Sequence, residues 1–269
     1  MTLKEAIALL TERGIDSPAY DARRIFEQIG GFPKEKLVAG NPKADEKTET
    51  AVLKRAERVP LQYILGTVDF YRERYTVTPD CLIPRQETEL LVELAVKLLP
   101  SGAKFIDLCT GSGCIAISIL KNTVGTRAVA TDISDAALEI AKRNAELNEV
   151  YERVEFKKSD ALSEASEGDF FAVISNPPYV LSDVYENLEP EIAFEPRGAF
   201  VGGGIDGANF YRAIVRLWHE RIPKDGFILF EIGFDQAEAL LKIAEEYSMN
   251  CEIKKDYSAN DRMALLRKK

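Results

Sequence analysis

From residue 105 onward, short apolar runs alternate with longer stretches whose apolar residues recur at helical spacing. An extended segment, a crossover helix and a further extended segment form a βαβ unit, and a chain of such units builds a mainly parallel sheet covered by helices. The runs at 105–108, 128–132, 154–156, 171–175, 227–232, 251–255 and 263–266 are the candidate strands. Between them, 136–148 opens behind Ser134 as a helix N-cap, with Asp135 placed where an acidic side chain favours the helix dipole. Tyr211, Ile214, Val215, Trp218 and Ile222 make one apolar stripe, expected to lie against the sheet. No internal repeat or low-complexity segment interrupts this pattern.

The first part of the chain follows the helical period alone. Leu3, Ile7 and Leu10 precede Gly14, and Ala22, Ile25, Phe26 and Ile29 precede Gly30-Gly31, so two helices are expected to stop at glycines. A third, over 45–59, presents Val52, Leu53 and Ala56 and is expected to close at Pro60. Between 65 and 84 the period becomes two, with Phe70, Tyr71, Tyr75, Thr76, Val77 and Thr78 reading as a hairpin. The expected organisation is a helical module over 1–65, a hairpin linker over 66–84 and an α/β domain over 85–269.

Composition mostly excludes. With 46% hydrophobic and 29% charged residues the chain is globular in character, and no apolar run approaches the ~18 residues that span a bilayer. The N-terminal MTLKEAIALLTERG mixes acidic with apolar residues and lacks a small-residue cleavage site, so a cytosolic location is expected. His219 is the single histidine, so a multi-histidine metal centre is excluded and no metal is expected. Cys81, Cys109, Cys114 and Cys251 form no C-x-x-C pair and read as reduced, buried thiols. Residues 1–80 carry 13 basic and 13 acidic residues, so the net charge of −9 lies entirely in 81–269, the opposite of a phosphate-gripping surface.

Asp107-Leu108-Cys109-Thr110-Gly111-Ser112-Gly113 follows the first candidate strand and leads into a helical run, the place where a doubly wound sheet binds a nucleotide-like ligand. The loop is not a dinucleotide fingerprint, because Ala116 stands where G-x-G-x-x-G needs its third glycine. Asp132, 19 residues after Gly113, ends the second strand, where a carboxylate can accept both ribose hydroxyls. A dinucleotide brings a pyrophosphate, whereas S-adenosylmethionine has no phosphate and carries a sulfonium cation. Asp107, Asp132 and Asp160 near one cleft suit the cation; a loop-capping role for Asp107 and Asp160 is the bland alternative.

Asn176-Pro177-Pro178-Tyr179 follows the fourth strand, at the carboxyl end where such sheets do their chemistry. The prolines remove N–H donors and stiffen the turn, so Asn176 Oδ1 and the Pro177 carbonyl can both accept from one planar NH₂ group. Tyr179 can stack on that plane. Two acceptors would aim the conjugated lone pair at a methyl donor and stabilise the positive charge that develops, with no histidine needed.

These segments resemble class I adenosylmethionine-dependent amino methyltransferases. Pro60-Leu61-Gln62-Tyr63-Ile64-Leu65-Gly66, Leu82-Ile83-Pro84-Arg85-Gln86-Glu87-Thr88-Glu89, Glu195-Pro196-Arg197-Gly198-Ala199, the glycines from Gly203 to Gly207, and Phe230-Glu231-Ile232-Gly233 before Gln236 are similar to the peptide chain release factor N5-glutamine methyltransferases. The resemblance implies a Rossmann-like, seven-stranded, mostly parallel sheet with a small N-terminal helical domain that docks the protein substrate. It implies use of S-adenosyl-L-methionine to methylate the Gly-Gly-Gln glutamine of class 1 release factors, releasing S-adenosyl-L-homocysteine; a monomer is expected. Carried over by position, cofactor contacts fall on Asp107, Cys109, Thr110, Gly111, Ser112, Gly113, Asp132, Ile133, Asp160, Ala161 and Asn176. Substrate contacts fall on Asn176, Pro177, Pro178, Tyr179, Arg85 and Glu195, with Asn176, Pro177 and Tyr179 as the catalytic set. Three positions depart from the family pattern: Cys109 for glycine, Gln86 for proline, and Ala161 for an aromatic residue.

The rival readings are an adenine-N6 or guanine-N2 nucleic-acid methyltransferase, a ribosomal protein glutamine methyltransferase, and a nicotinamide oxidoreductase. The incomplete glycine fingerprint opposes the last. Against nucleic acid stands an expected acidic rim of Asp183, Glu186, Glu189, Glu191 and Glu195, which would repel phosphates.

Overall fold

A computed structural model describes residues 1–269, which divide into two compact units, Met1–Val68 with Glu189–Phe194, and Asp69–Leu188 with Glu195–Lys269. The first unit holds α1 (Leu3–Glu12), α2 (Pro18–Gln28), α3 (Lys34–Ala39), α4 (Glu46–Ala56) and α5 (Leu61–Leu65). Local chemistry sets their starts. Thr2 and Glu5 form a reciprocal capping box on α1, Pro18 occupies the first turn of α2, and Asp45 accepts from Thr48 N at 2.8 Å to open α4. Leu3 and Leu10, Ile25 and Phe26, and Val52 turn inward from three helices to form a common core. Pro60 does not merely close a helix: α4 has already ended at Ala56, and Pro60 supplies the N-cap of α5.

A buried charge node completes this unit. Arg55 donates Nε to Asp21 at 2.7 Å and Nη1 to Glu191 at 3.0 Å, while Arg58 Nη2 reaches Glu191 at 2.8 Å. These bonds explain why the short stretch Glu189–Phe194 belongs with the helices although it lies far along the sequence.

The chain changes unit within β1 (Thr67–Phe70), which pairs with β2 (Glu73–Thr76) as a two-stranded ribbon. The second unit then runs α6 (Thr88–Leu98), β3 (Lys104–Leu108), α7 (Cys114–Lys121), β4 (Arg127–Asp132), α8 (Asp135–Leu147), β5 (Val154–Lys158) and β6 (Ala172–Ser175). It finishes with α9 (Ser182–Tyr185), α10 (Asn209–Trp218), β7 (Phe227–Glu231), α11 (Ala237–Glu246), β8 (Met249–Lys255) and β9 (Asp261–Lys268). All seven strands expected from the sequence form one sheet in the order β5-β4-β3-β6-β7-β9-β8, parallel except that β9 runs antiparallel to both neighbours. The apolar stripe on α10 is buried as expected, with Trp218 edge-on to Phe170. No helix is long and apolar enough to cross a membrane.

The order places a switch point in the middle of the sheet. From β3 the chain winds outward through β4 to β5, then returns to the other side of β3 as β6, leaving a crevice at the carboxyl ends of β3 and β6. Register aligns the rim: Leu108 pairs with Thr131 on one side and Ser175 on the other, so residues 109, 132 and 176 emerge at one level. The Ser175 hydroxyl donates to the Leu108 carbonyl at 2.6 Å and ties the two edges of the crevice together.

Candidate active site

The loop after β3 is held from beneath by Asp107, which is fully buried and accepts from Thr110 Oγ1 at 2.6 Å and Ala116 N at 3.2 Å. Both bonds fall on Oδ2, and Oδ1 has no partner. Burial pushes this carboxyl up to about 7. Cys109 turns the chain with φ of 59°, a left-handed conformation that suits glycine and strains a side-chain-bearing residue. Thr110 N donates to the Thr131 carbonyl at 2.9 Å and Gly111 N to Asp132 Oδ2 at 2.9 Å, so the loop leans on β4. Asp132 Oδ1 accepts from Ser134 N at 2.9 Å, and burial raises its pKa despite these bonds.

Above the loop lies a cavity of about 510 Å³ within the second unit. Its wall includes Cys109, Gly111, Asp132, Ile133, Asp160, Ala161, Asn176 and Pro178. Asp80, Asp132 and Asp160 are its charged residues, with no lysine or arginine, a lining that favours a cation and disfavours a pyrophosphate. Asp160 also accepts from Leu162 N at 2.9 Å and Ser163 Oγ at 3.1 Å, which orders the turn after β5. Across the opening run two segments, Cys81 and Leu82 from one and Pro196 to Gly203 from the other. Glu195 clasps them: its buried carboxylate accepts from Ile83 N at 2.9 Å and from the Arg85 guanidinium.

The Asn176-Pro177-Pro178-Tyr179 loop is anchored on three sides. Asn176 Nδ2 donates to Thr88 Oγ1 at 3.2 Å, and Thr88 donates to Glu231 Oε2 at 2.6 Å. Tyr179 OH lies 3.4 Å from Glu231 Oε1, and Gln236 Nε2 donates to the Tyr179 carbonyl at 3.0 Å. Burial pushes Glu231 up to about 7, partly offset by the Thr88 bond and the nearby Arg262 charge. The glycine-rich segment 202–207 lies directly on this loop. A Cβ on Gly207, whose φ is +70°, would sit 2.2 Å from the Tyr179 carbonyl oxygen, and one on Gly202 would sit 2.7 Å from that of Pro178. Only bare backbone fits there.

Of the residues singled out by sequence, Asp107, Thr110, Ser112 and Gly113 support the loop rather than line the cavity. Pro177, Tyr179, Arg85 and Glu195 are also outside its lining, and Arg85 and Glu195 bind each other. The acidic rim requires correction: Glu191 is bound by Arg55 and Arg58, Glu195 is buried against Arg85, and Glu186 pairs with Arg197. His219 packs at a tilt against Tyr247 and does not line the cavity. Thr88, Glu231 and Gln236 were not assigned roles from sequence. The available signal was Glu231 itself, a carboxylate ending the wholly apolar strand run Phe-Ile-Leu-Phe at the carboxyl edge of the sheet.

Residues 86–191 match the family model of the methyltransferase small domain, and residues 2–66 that of the PrmC N-terminal domain. The release factor glutamine methyltransferase of Thermodesulfovibrio yellowstonii is 37% identical, with 92% of each chain covered. That of Geobacter sulfurreducens is 35% identical, covering 86% of this chain and 83% of its own. Among solved structures, the hMettl16 catalytic domain in complex with MAT2A 3′UTR hairpin 6 covers 91% of this chain and 92% of that one, with a TM-score of 0.60 and 14% identity. The ribosomal protein L11 methylase from Lactobacillus delbrueckii subsp. bulgaricus covers 69% and 81%, with a TM-score of 0.51 and 22% identity. These two likenesses are of fold. Given the sequence relatives and the two matched domains, the chain belongs to the release factor glutamine methyltransferase family.

Proposed function

We propose that this protein transfers a methyl group from S-adenosyl-L-methionine to the side-chain amide nitrogen of the glutamine in the Gly-Gly-Gln motif of a class 1 peptide chain release factor, in the cytosol and as a monomer. The observation that carries the reading is the state of Asn176: its NH₂ end is taken by Thr88, and its carbonyl end, beside the carboxylate-lined cavity, accepts from no protein donor. The cofactor supplies an electrophilic methyl on a sulfonium. The cavity's size, its carboxylates and the bare backbone of Gly111 suit that group; Asp132 would hold the ribose hydroxyls, and Asp160 and Ala161 would line the base.

Catalysis then falls to acceptors and position. Asn176 Oδ1 and the Pro177 carbonyl accept the two N–H bonds of the substrate amide, and this pins the nitrogen so that its lone pair points toward the cavity. As the nitrogen gains positive character, both oxygens bind its hydrogens more strongly, which lowers the barrier without a general base beside it; the sulfonium–methyl bond breaks to leave a neutral thioether, and the methylated amide, now strongly acidic, gives up one of its two N–H protons to water. The carbonyl dipoles are fixed by the two prolines and by the Gln236 bond to Tyr179, so they do not reorganise during the reaction. Tyr179 closes the back of the amide slot. The first unit, with its own core and a nearly neutral charge balance, serves in this reading as the module that docks the release factor.

The test is incubation with labelled adenosylmethionine and either a release factor or its Gly-Gly-Ala variant, followed by mass spectrometry of the motif peptide. Label on the glutamine, absent from the variant, is expected. Label elsewhere, or equal labelling of both, would overturn the assignment.

A further inference from the structure

We infer that Thr88 and Glu231 are positioning residues for this transfer, setting which end of the Asn176 amide is presented to the substrate. The inference rests on the reading of Asn176 as an acceptor and adds what makes it one. An asparagine amide has two ends of nearly equal shape and opposite hydrogen-bond sense. Presented by its NH₂ end, Asn176 would oppose donor to donor against a substrate amide.

Proton counting decides the orientation. A carboxylate can only accept, so the 2.6 Å contact with Glu231 Oε2 takes the single proton of the Thr88 hydroxyl. Thr88 Oγ1 is then left only its lone pairs and must receive a donor, which is Asn176 Nδ2 at 3.2 Å. Oδ1 is therefore the end left for the substrate. The other oxygen of the same carboxylate lies 3.4 Å from Tyr179 OH, so both polar side chains of the tetrapeptide answer to one buried acceptor.

The relay depends on the charge of Glu231. Thr88 and Glu87 face it from α6, Tyr179 from the loop and Arg262 from β9, while Tyr211 OH bonds its backbone carbonyl at 3.1 Å. Arg262 favours the ionised form; burial and Glu87 oppose it, and the carboxyl is poised at about 7. A protonated Glu231 would donate to Thr88, whose hydroxyl would then donate onward and draw Asn176 Oδ1 toward itself. Turnover should fall as pH drops through that range.

The experiment compares full-length wild type with T88V, T88S, E231Q and N176A, measuring kcat and KM on a release factor from about pH 6 to about pH 9, and the Kd of S-adenosylhomocysteine by calorimetry. T88V and E231Q should each lower kcat about tenfold or more, with KM and Kd within about threefold of wild type. T88S, which keeps the hydroxyl, should recover most of the loss. The T88V/E231Q double variant should be little worse than either single one, and the acid limb should vanish in T88V. Should E231Q fail to bind the product cofactor, T88V, which preserves side-chain volume, decides alone. A T88V kcat within about threefold of wild type alongside inactive N176A would overturn the relay and leave the proposed function standing. An active N176A would instead remove the acceptor reading itself.

Discussion

Gly111 donates its backbone N–H to Asp132 Oδ2 at 2.9 Å, joining the loop after β3 to the end of the neighbouring strand. The carboxylate therefore has two duties: it holds the loop in place, and its remaining lone pairs are available to a ligand.

Replacement of Asp132 by Asn should accordingly weaken product-cofactor binding about 10- to 100-fold, since hydrogen bonds to a charged acceptor contribute roughly 1.5–3 kcal/mol. Alanine should weaken it further because the loop also loses its tie. Titration calorimetry with S-adenosylhomocysteine reads both, and unchanged affinity in Asp132→Asn would remove the ribose role.

Cys109 occupies a left-handed position with φ of 59°. Cys109→Gly should change stability by less than about 1 kcal/mol despite deleting a half-buried thiol, because relief of backbone strain offsets lost packing and added chain entropy. Cys109→Val, β-branched and of similar size, should cost more than about 2 kcal/mol. Urea unfolding of the two variants provides the check.

Asp107 titrates at about 7 in the folded chain, above its ordinary value of 3.8, because burial disfavours its charge. A raised carboxyl pKa means that this group's stabilising contribution is complete below the unfolded value and is lost as pH rises through the folded one. Between those values Asp107 therefore works against stability as pH increases. Asp107→Asn should fall behind wild type near about pH 5 and draw level with or exceed it near about pH 8. Denaturation midpoints at the two pH values would show a constant difference if the carboxyl were not shifted.

Arg55 is buried between Asp21 and Glu191. Arg55→Ala leaves two acidic groups facing each other with only Arg58 near one of them, and breaking such a buried pair costs about 3–5 kcal/mol. Loss of the stretch Glu189–Phe194 from its seat should follow, readable as faster proteolysis between 182 and 197. Unchanged cleavage would show that this stretch is held by other contacts.

Gly207 touches the Tyr179 carbonyl region so closely that an added methyl has nowhere to go. Gly207→Ala should displace the tetrapeptide and lower kcat by more than about tenfold while leaving the unfolding transition of the first unit in place. A wild-type kcat would mean that the segment 202–207 shifts freely away from the loop.

The sequence by itself determined the mostly parallel sheet, the helical N-terminal unit and the place of Asn176-Pro177-Pro178-Tyr179 just after a strand, because periodicity, glycine placement and proline stiffness act between residues a few positions apart. The same locality set its limit. Asp107 and Asp132 look alike as strand-end carboxylates, yet one is sealed beneath the loop and the other reaches the cavity, a difference made by which neighbour covers each. The acidic run 183–195 reads as a repulsive rim until Arg55, Arg58 and Arg85 arrive from more than a hundred residues away. Thr88 and Glu231 are separated by 143 positions, and nothing in either segment's spacing says that they meet. Only the packing of α6 against β7 sets one hydroxyl proton between them and so decides how Asn176 is held.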